Sequence, residues 1–556
     1  MWLEEFDEIF KGFLPYYLLI VLPIFIIVSP VNPVASSSEF PAFRMQHYDL
    51  HGIAHGCRSA GINLEAKSLT GWSTPRHCVL TKLKDLTVDN FRNIKLKAGA
   101  LLIMLPENIS NLNVEEQHHL LLLENAMVVQ EVSIPVYFAK YSSQLEIIIS
   151  EVTDNLDTND MSKSAAEALF NSIAANGYQI VVSSSSLGIK TDAKVASIHG
   201  HLPGHSTDGK IPTIAIVAHY DSFGAAPELS YGADSNGSGV IILLELVRLF
   251  SSLYTEKGRN THGKYNIVFL LSGGGKINYQ GSKKWLEDQL DSLDGSIIQE
   301  VSYVMCLDTL ASNESIYMHV SKPPKEGSAS SSFYKELKTT AAELYPSVTV
   351  EGVHKKINLA DDILGWEHER FSIRRLPAFT LSSLKNHKDL RKSTIMDTKE
   401  GLDIDRLVIN TKLIAEALAR HIYGVTNGSV LGLSVDVNRK YIETWVNYLC
   451  SQPRSPQLLS DKDNALIAVL KDNFNKYLRE VKVTNAVPDK RDPDFQFYQV
   501  TSGTVNVYSV KPAVFDLILT IAIVLYLGAI YLFIERFSIL YSLACTLTVN
   551  RKIKSQ

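Results

Sequence analysis

Apolar and polar positions alternate along the middle of the chain in blocks that predict strands and helices in turn. Five short segments are predicted to be strands, and several of them are apolar on both faces, which is typical of buried strands: 195–200, 213–220, 266–271, 303–307 and 377–381. Five segments with helical spacing lie between and around them: 163–175, 239–254, 283–293, 333–345 and 405–423. Because doubly buried strands need cover on both faces, residues 163–425 are predicted to form one large α/β domain, a sheet with helices on both faces.

The residues before this domain predict a smaller α/β unit. Residues 42–155 contain apolar segments at 98–104 and 133–138, with a helical stretch at 114–127 between them. The polar stretch 153–164 predicts a linker to the large domain. We therefore expect an N-terminal unit that folds beside the large domain.

The residues after the large domain show a different pattern. Residues 430–511 contain helical stretches at 437–450 and 463–478. Two short apolar segments follow at 495–498 and 505–510, and a turn-prone sequence joins them, which predicts a hairpin. We expect a small module, part helical and part hairpin, that leads the chain to the membrane.

Both ends of the chain are strongly apolar. Residues 13–28 are unbroken by charge and precede a small, turn-prone stretch, as in a signal peptide. The residues before them are acidic, whereas a signal peptide is normally basic, so residues 1–35 are either a signal peptide cleaved near Ala35 or an uncleaved signal anchor. Residues 513–534 carry one charge, Asp516, and about 20 apolar residues suffice to cross ~30 Å of hydrocarbon. They predict one transmembrane helix.

Charge orients the chain in the membrane. The tail 535–556 is basic, and positive flanks stay in the cytosol, so the bulk of the chain is expected in the lumen as a single-pass type I protein. Lys552 and Lys554 near the C-terminus resemble the dilysine signal that retrieves proteins to the endoplasmic reticulum (ER). Over the whole chain, 54 Lys and Arg against 59 Asp and Glu give a net charge of -5, which argues against a nucleic-acid binder.

Lumenal exposure gives two further sequence features a meaning. Four Asn-X-Ser sequons are candidates for N-glycosylation: Asn108, Asn236, Asn313 and Asn427. The chain has five Cys, too few for a disulfide scaffold, and Cys57 with Cys78 is a plausible bridge that spacing alone does not fix. The protein is expected to be a glycoprotein.

The segment 213–239, TIAIVAHYDSFGAAPELSYGADSNGSG, is the most informative in the chain. A buried strand ends in His219 and Asp221, and a loop leads to a glycine-rich helix start. This order resembles the M28 family of zinc aminopeptidases, and the likeness extends over residues 165–425 to Ser282, Asp308 and the Glu-His pair at Glu367. The resemblance implies the M28 fold, but a fold alone does not imply activity.

In that family, carboxylates and His hold two zinc ions, and a Glu serves as general base. Carried over position by position, His219 and Asp308 match metal ligands, and Asp221 matches the carboxylate that orients the His. The positions of the other metal ligands and of the general base are occupied by residues that cannot take these roles: Ser235, Gly275, Lys276 and Ser393. One carboxylate and one imidazole are too little charge to hold two dications, so we expect no metal, no cofactor and no catalytic residue. His219 and Asp221 are then expected to be a hydrogen-bonded polar pair.

The resemblance is to non-catalytic, membrane-anchored members of the nicastrin and M28 aminopeptidase-like superfamily. It implies an ER scaffold that works with a nodal modulator-like lumenal partner and a small multispanning membrane protein. Together they form the back-of-Sec module of the translocon for multipass proteins, and modulation of Nodal signalling is also implied. Two alternatives stay open at this point. One is a zinc hydrolase with residual activity, and the other is a nicastrin-like substrate receptor in which Lys276 binds a C-terminal carboxylate.

Overall fold

The structure is a computed structural model that describes most of the chain between Ser37 and Ser542. The described residues are 37–160, 177–183, 188–205, 211–255, 263–291, 298, 300–426, 428–432, 435–461, 463–510, 513–539 and 541–542. The predicted signal segment 1–35, the helix at 163–175, the sequon Asn427 and the dilysine residues Lys552 and Lys554 lie outside them.

Strands form three sheets. In chain order they are β1 Ser37–Arg44, β2 His47–Leu50, β3 Ile53–Cys57, β4 Ile62–Lys67, β5 His77–Lys82, β6 Ala100–Met104, β7 Glu131–Val132, β8 Val136–Ala139, β9 Gly177–Val182, β10 Val195–Leu202, β11 Thr213–His219, β12 Asn266–Ser272, β13 Val301–Leu307, β14 Ser315–Val320, β15 Thr349–His354, β16 Ala378–Ser382, β17 Arg479–Ala486, β18 Phe495–Phe497 and β19 Ser502–Val510.

Helices cover the sheets and continue to the membrane. They are α1 Val88–Lys97, α2 Val114–Val128, α3 Ser143–Asp160, α4 Gly237–Thr255, α5 Gln280–Leu290, α6 Ala329–Leu344, α7 His368–Ile373, α8 Ile404–Tyr423, α9 Arg439–Leu449, α10 Pro456–Leu459, α11 Ala465–Tyr477 and α12 Ala513–Glu535.

The large domain is built on an eight-stranded sheet in the order β15-β14-β16-β13-β11-β12-β10-β17. Its central strands are parallel and apolar on both faces because both faces are covered. Along β11, Ile214 and Ile216 face the layer of α4, α6 and α8, whereas Ala215 and Val217 face the layer of α5 and α7. The predicted sheet with helices on both faces is confirmed.

The N-terminal unit is a closed sheet in the order β1-β19-β9-β4-β5-β6-β8. β4, β5, β6 and β8 are mutually parallel, with α1 and α2 in the connections between β5, β6 and β8. β1 closes the sheet by pairing antiparallel to β8 on one side and to β19 on the other. The unit is therefore completed by a strand that follows the large domain in sequence.

Residues 430–511 are not a separate module, contrary to the prediction. Two helices that follow the large domain pack into its core through Trp445, Val446, Leu470 and Phe474. β17 forms the edge of the eight-stranded sheet by pairing with β10. The predicted hairpin is also wrong, because β18 pairs with β2 in a small four-stranded sheet and β19 joins the closed sheet.

Two further local predictions are corrected. The stretch 153–164 was expected to be a linker, but α3 continues through it as far as Asp160. Cys57 and Cys78 are free, buried thiols that belong to different hydrophobic clusters, so they do not form the plausible bridge.

The C-terminal helix α12 matches the transmembrane helix predicted at 513–534. It has 23 residues, and apolar side chains such as Leu517, Val524 and Leu525 are exposed along it. By length and hydropathy, α4 is the described helix that could cross a membrane, and α12 contributes the shorter apolar stretch Leu519–Glu535, but most of α4 is buried in the core of the large domain. α12 is therefore the described helix whose apolar surface is free to meet lipid.

Candidate functional site

The residues of the predicted motif meet at the carboxyl ends of three neighbouring parallel strands. β11 ends at His219, β12 ends at Ser272 just before the Gly273–Gly275 loop, and Asp308 directly follows β13. Because β12 and β13 flank β11 in the same direction, these ends lie side by side. These residues therefore lie at the carboxyl edge of the sheet, which is the edge where α/β proteins bind ligands.

Asp221 holds the loop after β12. Its two carboxylate oxygens accept hydrogen bonds from the backbone N–H groups of Gly275 and Lys276, each at 2.8 Å. The side chain is completely buried. Asp221 does not form the expected pair with His219, because both side chains form hydrogen bonds with other groups.

His219 is oriented instead by Glu367, which lies just before α7. Nδ1 of His219 donates to Oε2 of Glu367 at 3.1 Å, and both side chains are almost fully buried. The ring of His219 occupies the space beside Gly275, where an added Cβ would lie 2.3 Å from the ring. In this arrangement His219 leaves no room for a side chain at position 275, which the motif aligns with a Glu of the family.

Glu367 is the centre of a buried polar network. Its second oxygen, Oε1, accepts hydrogen bonds from the hydroxyl groups of Ser272 and Ser282. With His219, three donors therefore satisfy one buried carboxylate, as a buried charge requires. The network links β11, β12, α5 and the start of α7, and each oxygen of Glu367 takes part in it.

Asp308 is bound by a lysine that sequence reasoning missed. Nζ of Lys392 lies 3.2 Å from Oδ2 of Asp308 and 3.8 Å above the centre of the Trp366 ring. The hydroxyl of Thr309 donates to the other oxygen at 2.7 Å. Burial alone raises the pKa of Asp308, but the cations Lys392 and Lys276, with His219, outweigh it and hold the pKa well below its usual range. An ammonium group therefore neutralises the surviving carboxylate ligand.

Lys276 lies beside Lys392 and is held by neutral acceptors. Its Nζ donates to Oγ of Ser235 at 2.7 Å and to the backbone carbonyl of Lys392 at 2.8 Å. Ser235 donates in turn to the same carbonyl at 3.0 Å. Burial lowers the pKa of Lys276 to about 8, although the carboxylate of Asp308 opposes the shift. Two lysines thus lie beside the residues that correspond to the family's metal ligands.

The glycine-rich turn before α4 is fixed by carboxylates and an amide. The two oxygens of Asp397 accept from the N–H groups of Asp234 and Ser235, at 2.9 and 2.7 Å. Asp234, the residue before Ser235, accepts a hydrogen bond from the N–H of Ala311 at 3.0 Å. Burial and the nearby Asp234 raise the pKa of Asp397 to about 6.

Asn236 is removed from the glycosylation candidates. Its side chain is completely buried, and its Nδ2 donates to the carbonyls of His219 and Leu307 at 3.1 and 2.9 Å, so the folded turn has no room for a sugar. Asn108 and Asn313 are exposed and stay candidates.

The remaining predicted position, Ser393, is exposed next to Lys392 and makes no contact with Asp308. Other buried His residues do not rebuild a ligand set. His368 bonds to Oγ1 of Thr380 at 2.8 Å, and burial lowers its pKa to about 3. Among the described residues, no group of three or more His, Cys, Asp or Glu is placed to hold a metal ion. The donor set does not fit a pair of zinc ions.

Two more buried charges, absent from the sequence prediction, hold the loops of the site. The Arg454 guanidinium donates to the carbonyls of Tyr220, Tyr231 and Gly232. Glu124, from α2 of the N-terminal unit, accepts from the N–H groups of Ala225 and Ile395 at 3.1 and 3.0 Å. No sequence signal marks either residue, whereas Lys392 stands next to Ser393, the position of the lost metal His.

Comparison with known proteins agrees with this geometry. The model of peptidase family M28 matches residues 197–412. The human protein "BOS complex subunit NCLN" is 43% identical over 99% of this chain and 100% of its own length. "Nicalin" of Caenorhabditis elegans is 30% identical over 94% of this chain and 96% of its own length. The chain belongs to the nicalin family. Its membrane helix, large domain and N-terminal unit all lie within the matched length.

A solved structure shows the same architecture. The γ-secretase component nicastrin superposes with a TM-score of 0.58 over 85% of this chain and 99% of the nicastrin chain. The identity is 13%, so the likeness concerns the fold alone. The fold of the nicalin family is thus the M28-like fold of nicastrin, as the motif predicted.

Proposed function

We propose that the protein is a non-catalytic subunit of an ER membrane complex that assists the biogenesis of multipass membrane proteins beside the Sec translocon. The observation that carries this proposal is the pair of lysines at the former metal site. Lys276 and Lys392 bring two fixed positive charges to residues that in the family hold two dications. Relatives that match over their whole length are named as subunits of the BOS complex, which supports the role of a subunit.

The chemistry of the site supports a non-catalytic role. Hydrolysis by a zinc peptidase needs a metal-bound water and a base that removes its proton. The base position is Gly275, and the only remaining family carboxylate ligand, Asp308, is paired with Lys392. Glu367 is the nearest buried carboxylate to His219, and its oxygens already accept three hydrogen bonds. A water molecule at this site would have no base to remove its proton and little room beside the side chains already there.

The proposed topology is single-pass type I in the ER membrane, with the bulk of the chain in the lumen. The basic tail 535–556 and the retrieval residues Lys552 and Lys554 support it. The proposed partners are a nodal modulator-like lumenal protein and a small multispanning protein that packs on α12. Modulation of Nodal signalling is a secondary proposal that rests on the resemblance alone.

Purification of the full chain in a mild detergent, with zinc measured on the same sample, tests this function. We expect stoichiometric membrane and lumenal partners and less than about 0.1 zinc per chain, since a structural or catalytic zinc would be retained by its ligands. Recovery of a lone monomer would contradict the scaffold role. About one zinc per chain, lost in His219→Ala but kept in the control His354→Ala at an exposed position, would support the hydrolase instead.

A receptor role for the emptied cleft has less support. It would require Lys276 to offer its ammonium group to a ligand carboxylate, but that group already donates to Ser235 and to the carbonyl of Lys392. Lys276→Met should therefore leave the set of co-purified partners unchanged. Loss of a partner or cargo in this variant, without loss of folding, would favour the receptor role.

A further inference from the structure

A second strand edge, in the closed sheet of the N-terminal unit, has a cavity. The parallel strands β5, β6 and β8 end at Lys82, Met104 and Ala139, and the residues just beyond these ends line a cavity of 490 Å³. We call this cavity the strand-end pocket. Its size falls within the range of about 300–1,000 Å³ that ligand pockets occupy. In sheets built of strand–helix–strand units, ligands bind at this edge.

The floor of the strand-end pocket is apolar. Leu83, Met104, Leu105 and Leu120 are buried in it, and Leu112 forms part of the wall. These side chains leave the floor without a charged group that would need neutralisation. The pocket therefore fits apolar side chains.

The rim of the strand-end pocket is acidic. Lys82 is paired with Glu146 at 2.6 Å, and Tyr141 donates to the same carboxylate at 2.9 Å, so this edge is neutral. Glu107 and Glu115 are exposed on the rim, and no ion pair to either is found within the described residues. One exposed cation, Lys84, also lines the pocket and acts on Glu146, which leaves the carboxylates in excess.

The strand-end pocket opens toward the end of the closed sheet from which the membrane helix leaves. β8 runs antiparallel to β1, so its carboxyl end at Ala139, opposite Ala42, points toward Ser37. Ser37 pairs with Tyr508, five residues before α12 begins at Ala513. Ala42 and Ser37 are separated along β1 by about 17 Å at roughly 3.3 Å per residue. The pocket thus lies at the end of the closed sheet from which the chain continues toward α12.

We propose that the strand-end pocket binds an extended peptide segment in which apolar side chains adjoin a lysine or arginine. The apolar floor takes the apolar side chains, and Glu107 with Glu115 attracts the cation. A lipid phosphate is disfavoured because the rim carries more carboxylates than free cations. The proximity of α12 makes segments of polypeptides at the membrane surface the natural source of such a peptide. This goes beyond the proposed function, which assigns no cargo site.

Calorimetric titration of the full chain in digitonin micelles tests the proposal. The probes are two peptides with blocked ends, acetyl-LIRLV-amide and acetyl-LIELV-amide. We expect the arginine peptide to bind at least tenfold more tightly than the glutamate peptide. The variant with both Glu107→Gln and Glu115→Gln should reduce this preference about tenfold, while the control Glu326→Gln, at an exposed site elsewhere, should not change it.

A further variant and a lipid probe distinguish binding in the strand-end pocket from binding elsewhere. Leu112→Arg places a cation in the wall and should abolish binding of the arginine peptide, with an unchanged thermal midpoint as the sign of intact folding. Equal affinity for both peptides, no measurable binding of either, or no effect of the Glu variants would overturn the proposal. Tighter binding of dihexanoyl phosphatidylserine than of the arginine peptide would assign the pocket to lipid instead. None of these outcomes depends on co-purified partners, so the proposed function is tested separately.

Discussion

The carboxyl edge of the eight-stranded sheet and that of the closed sheet differ in what fills them. At the first, side chains of the protein itself occupy the space, and Lys276 and Lys392 stand among buried carboxylates. At the second, apolar side chains line a cavity and the charges lie on the exposed rim. Both edges have the topology that favours ligand sites, so topology alone does not decide whether a site is open.

The difference follows from buried charge. The edge that corresponds to the metal site of the M28 family retains the carboxylate of Asp308, and a buried carboxylate without a cation costs several kcal/mol, on the order of what breaking a buried ion pair costs. A lysine ammonium restores neutrality, but it also fills the volume. An edge whose buried groups are apolar carries no such charge and can stay open. Loss of a metal site is thus expected to close a cleft, whereas an apolar edge keeps its cavity.

The largest expected effect comes from removing the arginine beneath the filled edge. Arg454→Met would leave the carbonyls of Tyr220 and Tyr231 without their side-chain donor, while the carbonyl of Gly232 would keep only the N–H of Gly237. We expect the free energy of unfolding to fall by about 4 kcal/mol, because each unsatisfied buried group costs about 1–3 kcal/mol. Urea titration followed by tryptophan fluorescence measures this. Arg374→Met, at a half-exposed ion pair, is the control and should cost under about 1 kcal/mol.

Breaking the Lys392–Asp308 pair tests whether the lysine replaces the metal charge. Lys392→Met should reduce the free energy of unfolding by about 3 kcal/mol, because it leaves Asp308 buried and charged. Asp308→Asn in the same chain should restore much of that loss. The control Lys388→Met, at an exposed position, should have no effect. Equal losses in the single and double variants would show that the charge on Asp308 does not matter.

A side chain at position 275 tests whether His219 closes the site sterically. Gly275→Ala should cost about 2 kcal/mol, because its Cβ would lie 2.3 Å from the ring of His219 and overpacking costs typically about 1–3 kcal/mol. The same substitution in a His219→Gly chain should cost much less, as measured by a double-mutant cycle in urea, whereas His219→Ala would keep a Cβ 2.5 Å from the added one. If the two changes are additive, the ring is not what excludes a side chain.

The smallest expected effect is the pH dependence due to Glu124, which joins the two units. Burial raises the pKa of Glu124 to about 7, above the value of 4.5 that applies to an exposed Glu. Between these two pH values the folded chain binds more protons than the unfolded chain. The contribution of Glu124 to the free energy of unfolding therefore falls as the pH rises from about 4.5 to 7. Glu124→Gln should reduce this slope by about 1 kcal/mol per pH unit in urea titrations at several pH values. Glu115→Gln, on the exposed face of α2, should leave the slope unchanged.

The sequence predicted the parts of the fold in which local pattern and burial agree. β10, β11, β12, β13 and β16 are mostly apolar and mostly buried because they lie inside a covered sheet, and all five were predicted. β14, β15 and β17 were missed because their alternating or exposed positions resemble loops. β19 was assigned to a hairpin because β18 is near in sequence, whereas its partners are β1 and β9, far away in the chain.

The candidate site divides in the same way. His219 and Asp308 could be placed because a family motif surrounds them, and the strand ends bring them together as expected. The sequence did not reveal three other site residues, because a buried charge has no local sequence pattern and its partners are distant in the chain. These residues are Lys392, Glu124 and Arg454. The predicted hydrogen bond between His219 and Asp221 is wrong. Asp221 instead accepts hydrogen bonds from the backbone N–H groups of Gly275 and Lys276.

The pairing of β1 with β19 also determines when the N-terminal unit can finish folding. Ser37 and Tyr508 are neighbours in the sheet, but ribosomes add about 5–20 residues per second, so the roughly 470 positions between them take on the order of half a minute to a minute and a half to synthesise. During that time β1 and β9 have an unpaired edge, the kind of surface that invites wrong pairing. The first unit to be made is therefore the last to close, and during synthesis it depends on protection of that edge.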